Sequence, residues 1–143
     1  DKTLQHSLTE SARLAAAKPG SGGWDAKFGP GRLMDIELLA QTLALTSGSP
    51  ARQVERQIAA GANAGKLSQS DQTIVLTAYR LCWRLQAAAR LLSDKPLDPA
   101  ALGIGGQAFL LRETGYETAE ALSADLAEKT GLAEAVISAH LKG

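Results

Sequence analysis

Residues 24–41 read W-D-A-K-F-G-P-G-R-L-M-D-I-E-L-L-A-Q, and the fold of the chain turns on how this stretch is taken. It begins as a short extended approach and turns on Gly29-Pro30-Gly31. No glycine or proline follows until Gly48, so a helix is predicted from the turn to about Thr46. At about 100° per residue, Leu33, Ile36, Ala40 and Leu43 share one stripe, while Met34, Leu38 and Leu45 form another. A helix apolar on two sides is expected at the centre of a bundle. Full burial of one such leucine is worth ~1.5–3 kcal/mol, enough to anchor a core.

Downstream, Gly48-Ser49-Pro50 closes that helix. Residues 50–60 predict a short helix with Val54 and Ile58 inward, broken by the glycines of 61–65. Ser68-Gln69-Ser70-Asp71 fits a capping box and opens the longest helix, about 69–93. Ile74, Ala78, Leu81, Leu85, Ala88 and Leu92 repeat there at helical spacing, with Tyr79 and Cys82 broadening the stripe. Trp83 falls off it and marks a groove or an interface. Residues 94–99 (D-K-P-L-D-P) are a hard stop, and 100–102 read as one turn. Gly103 to Gly106 read as a loop and 107–113 as a short helix. Thr118 caps a last run, 119–141, with Gly131 as a break or kink and Leu122, Leu126, Leu132, Val136, Ile137 and Leu141 inward.

Upstream, residues 3–17 predict a leading helix, so that 1–18 form one arm. Residues 19–23, rich in glycine, form a linker, and 24–143 form the core bundle. No segment alternates with period two over a strand's length. The expectation is an all-α, single-domain helical bundle of about five or six helices.

At 143 residues the chain suits one domain, and 45% apolar residues can fill a core. Fifteen basic residues balance fifteen acidic ones, which argues against nucleic acid or an anionic membrane as partner. Aromatic residues are 4%, too few for a single-strand stacking platform. The one cysteine, Cys82, precludes an internal disulfide and suits a reducing, cytoplasmic compartment. No secretory signal or membrane span is present in this sequence. It begins at Asp1, inside an apparent helix, and is expected to be a piece of something longer.

Lys27, Gly29, Gly31 and Arg32 sit just ahead of the central helix. They read in two ways: a phosphate cradle of flexible backbone and two cations, or a tight turn with exposed basic residues. Asp35 and Glu37, two apart on a helix, lie about 200° apart and cannot clasp one metal from that helix. Asp35 in the first turn favours the helix dipole. Glu37 and Gln41 share a face; the expectation is a buried or half-buried polar network, the alternatives an arginine on a neighbouring helix or a partner domain. The glycines at 103, 105 and 106 follow no strand, so a nucleotide loop fails on context. His6 and His140 have no ligand set beside them. No catalytic residue and no metal site is expected.

The same stretch resembles the signature that follows each nucleotidyltransferase unit in the glutamine synthetase adenylyltransferase/deadenylyltransferase family. Asp25, Lys27, Gly31, Asp35, Ile36, Glu37 and Gln41 match it. Arg32 stands where the family has a second glycine, and Leu38 where it has a phenylalanine. A-G-K-L-S-Q-S-D, the helix around L-T-A-Y-R-L-C-W-R-L-Q and the closing helix extend the likeness over most of the chain. Asp-Ile-Glu suits the C-terminal, adenylylating half of such enzymes. The resemblance implies a parent that transfers AMP from ATP, with Mg²⁺, to a tyrosine of glutamine synthetase, tuned by PII protein and glutamine. The catalytic Gly-Ser turn and paired aspartates are absent here. The chain is therefore expected to be the helical domain beside that catalytic unit, inert alone and needing no cofactor of its own. Alternatives are the matching domain of a PII uridylyltransferase and a non-enzymatic interaction module.

Overall fold

A computed structural model describes Arg13, Gly20 and residues 22–142. Among these there are five α-helices and no strand. They are α1 Leu33–Ser47, α2 Val54–Asn63, α3 Gln69–Leu92, α4 Ile104–Thr114 and α5 Ala119–Lys142, with a 3₁₀ turn at Pro99–Ala101. The all-α expectation holds. The leading helix over 3–17 and His6 lie, Arg13 apart, outside the described residues.

Each boundary has a local cause. The Asp35 carboxylate, in the first turn of α1, reaches back to accept from the Gly31 N–H at 2.8 Å. Gly48 ends α1 in the left-handed conformation, with the Ser49 N–H returning to the Ala44 carbonyl at 2.9 Å. Ser68 caps α3 by accepting from the Asp71 N–H at 3.0 Å. Thr118 does the same for α5 through the Ala121 N–H.

The apolar faces meet in two clusters that share α3. One joins Ile36, Leu39 and Leu43 of α1 to Ile58, Val75, Ala78, Val136 and Ile137. The other joins Ala26 and Leu33 to Leu81, Cys82, Leu85, Leu110, Leu122 and Leu126. Tyr79 packs against both. Helix α1 lies along α2 and also touches α3 and α5. Its second stripe is only partly used: Met34 and Leu38 are half-buried, and Leu45 is 81% exposed.

Several boundaries differ from the sequence reading. Residues 50–53 are not helical; Ser49 Oγ and the Gln57 side chain hold the Ala51 N–H and carbonyl, so α2 starts at Val54. Gly61 lies inside α2, where a Cβ would come 2.9 Å from Leu43, so the residue serves the approach of two helices. Gly103 to Gly106 is no loop but the start of α4, tied down by the Gln107 side chain donating to the Pro99 and Leu102 carbonyls. Helix α5 runs unbroken through Gly131, because Thr130 and Ala133 are buried on either side of it. A glycine costs such a helix only about 1 kcal/mol, less than the packing returns. Leu132 is 49% exposed, and Ala133 takes the inward position expected of it.

Candidate functional site

Residues 24–32 wrap the end of α1 and lie against α5. Asp25 Oδ1 accepts from the Lys27 and Phe28 N–H groups at 2.9 Å each, which bends the chain at once. Gly31 has φ +73° and sits so close to α5 that a Cβ would lie 2.0 Å from the Thr130 carbonyl oxygen. Only glycine meets both conditions. Arg32 turns back over the loop and donates to the Gly23 and Asp25 carbonyls at 2.8 and 2.6 Å.

Asp35 is completely buried and is the hub of a polar network. Arg13 Nε donates to Oδ1 at 2.9 Å and its terminal nitrogen to Oδ2 at 3.1 Å, a fork-on-carboxylate pair. The same guanidinium reaches Ser138 Oγ at 3.0 Å and Glu134 at 3.3 Å on α5. The Asp35 hydrogen bond comes first in raising the Arg13 pKa above its ordinary value, with burial opposing it.

The turn therefore engages most of its own donors. The N–H groups of Asp25, Lys27, Phe28, Gly31, Arg32, Leu33 and Met34 all bond within the segment. An anion cradle needs such donors aimed outward. Of the seven residues singled out from sequence, Gly29, Gly31 and Asp35 are buried in building the turn and Arg32 is half-buried as its staple. Lys27 and Gln41 are exposed, and Glu37 is half-buried.

Lys27 and Glu37 line one groove of about 380 Å³ between the turn and α3. Its other wall carries Tyr79, Trp83, Gln86 and Arg90. A second cleft, of about 610 Å³, continues past Lys27, Gln86 and Arg90 towards Trp24, Phe28 and Lys95. Lys27 Nζ lies 5.3 Å from the Phe28 ring centroid, a cation–π distance. The Tyr79 hydroxyl pKa is raised, first by burial and then by the charges of Glu37 and Glu55, so it stays a neutral donor.

Of the α3 wall, the sequence reading marks Trp83 as a groove or interface residue and does not join Tyr79, Gln86 and Arg90 to it. Tyr79, Trp83, Gln86 and Arg90 recur at helical spacing, a polar-aromatic stripe beside the apolar one. Cys82 is fully buried, and burial pushes its thiol up to about 11, which suits a core residue and not a nucleophile. Among the described residues no group of His, Cys, Asp and Glu is arranged to hold a metal. No described helix is long and apolar enough to cross a membrane.

The sequence profile of the family described as GlnD PII-uridylyltransferase matches residues 5–142. Similar curated proteins are bifunctional glutamine synthetase adenylyltransferase/adenylyl-removing enzymes. That of Caulobacter vibrioides is 31% identical over 149 aligned residues, covering 99% of this chain and 15% of the relative. That of Xanthobacter autotrophicus is 29% identical, covering 89% and 13%. That of Rhizobium meliloti is 32% identical, covering 76% and 12%. The chain thus spans about an eighth of the length of the relatives it matches. No solved structure matches it.

Proposed function

Since this chain belongs to the GlnD PII-uridylyltransferase family, we propose that it is the helical domain beside a nucleotidyltransferase unit in a longer enzyme of the glutamine synthetase adenylyltransferase kind. The parent transfers AMP from ATP, with Mg²⁺, to a tyrosine of glutamine synthetase in the cytoplasm, and answers to PII protein and glutamine. This domain contributes no carboxylate pair for the metal and performs no transfer alone. Its part is to present the face of Lys27, Glu37 and Gln41 to the catalytic unit, near the domain seam.

One observation carries the reading. The residues shared with the family signature divide by role: Gly31, Asp35 and Ile36 are buried and half-buried Asp25 bends the turn, while Lys27 and Gln41 are exposed and half-buried Glu37 lines the groove beside them. Polar groups at the rim of a turn and helix this tightly fixed are placed to meet something.

The experiment is transfer of labelled AMP from ATP to glutamine synthetase by the full-length protein. Transfer is expected there and none from the 143-residue chain. Turnover by the short chain overturns the proposal. Lys27→Ala is expected to lower the full-length rate while leaving stability unchanged. Arg32→Ala is expected to lower stability, since it removes the loop staple. An unchanged rate with Lys27→Ala leaves the turn a purely structural feature. A second reading, the corresponding domain of a PII uridylyltransferase, is favoured by the family's own description. Transfer of UMP from UTP to PII, in place of AMP transfer, selects it.

A further inference from the structure

The groove at Lys27 does not end at α3. Trp83, 50% exposed, stands between it and a shallower cleft formed with Arg80, Arg84 and Ala87. The groove and the shallower cleft are lined by four cations, Lys27, Arg80, Arg84 and Arg90, and one carboxylate, Glu37; Glu55 lies beside Arg80, and Asp25 and Asp94 line the adjoining cleft past Arg90. Glu55 is already bridged to Arg80 at 2.6 Å. Among the described residues Arg84 and Arg90 have no carboxylate partner. The whole chain is neutral, so the basic excess lining these two clefts is balanced by acidic residues elsewhere.

We propose that the Trp83 face of α3, with Arg84 and Arg90, is the docking surface for an acidic face of the nucleotidyltransferase domain in the same polypeptide. The indole enters an apolar recess and the two guanidiniums meet Asp or Glu side chains around it. The inference rests on the reading just given and extends its seam from the turn onto α3. Three observations select this occupant. The charge of the face calls for carboxylates. Its continuity with the Lys27–Glu37 groove puts it on the side already assigned to the catalytic unit. The relatives carry more than four-fifths of their length outside this region, so a partner surface is available in the same chain. An exposed tryptophan flanked by arginines has the composition of an interface hot spot.

Zero-length carbodiimide cross-linking of the full-length protein tests it, because that chemistry joins amines only to carboxylates in direct contact. Arg84→Lys and Arg90→Lys keep the charge and supply the amine. Both variants are expected to gain cross-links to Asp or Glu of the upstream domain. Adding Trp83→Ala is expected to cut their yield at least about fivefold, as loss of a hot-spot anchor does. Circular dichroism of each variant confirms the fold. Absence of these cross-links in a protein that still transfers AMP overturns the docking surface and leaves the functional reading standing. Loss of AMP transfer in the unmutated protein is the failure of that reading instead. Cross-links to glutamine synthetase, or to an isotopically distinct second copy, overturn the proposed occupant.

Discussion

Asp35 shows how one carboxylate can decide a local structure. It takes a guanidinium fork, a backbone N–H and the positive end of a helix, all out of water. Removing it leaves the Gly31 N–H without its acceptor and Arg13 with only Glu134 and Ser138. Asp35→Ala is expected to cost about 3–5 kcal/mol in urea unfolding. A loss below 1 kcal/mol would show the network to be idle. At the other side of the bundle, the Tyr116 hydroxyl donates to Asp125, which also accepts from Lys129. Lys129 and then Tyr116 hold the Asp125 carboxyl below its usual range. Burial and then the Asp125 hydrogen bond push the tyrosine up to about 12. A folded-state pKa above the unfolded value, about 10, favours folding below pH ~10, and that support fades as pH rises towards 12. The urea midpoint is therefore expected to fall between those values, and less steeply in Tyr116→Phe. The slope does not vanish in the variant, because Cys82 acts in the same sense up to about 11.

Among the helices, α5 supplies the sharpest test of glycine. Gly131 is exposed, carries no positive φ and has open space where a Cβ would go. Gly131→Ala is expected to stabilise the protein by about 0.5–1 kcal/mol, seen as a higher thermal midpoint. Ser68→Ala is expected to cost about 1 kcal/mol through the lost α3 cap. The same helices show what is legible in a sequence. Caps at Ser68 and Thr118 and the inward run of α3 could be read directly, because spacing and a hydroxyl fix them locally. Gly131, Gly61 and the glycines before Gln107 could not be read that way. Whether a glycine ends a helix or admits a neighbour depends on what lies across from it, such as Leu43 beside Gly61. The turn at 24–32 was found from its residues alone. That Arg32 would fold inward and Arg90 share the groove with Lys27 depends on the packing of α3 against the turn, a long-range fact.

At the scale of the molecule, α3 threads both apolar clusters and makes them one cooperative unit. Leu85→Ala and Ile36→Ala, one in each cluster, are each expected to cost about 2–5 kcal/mol. Each should shift a single transition, followed identically by tryptophan fluorescence and far-UV circular dichroism. Two separated transitions would mean that the clusters unfold apart. The Asp35 junction has a mechanical consequence. Arg13 holds Asp35, Asp35 holds the Gly31 amide, and that amide belongs to the bend displaying Lys27. A pull on Arg13 thus travels a load path two links long to the groove. The same guanidinium is moored to Glu134 and Ser138, so the final helix shares the load.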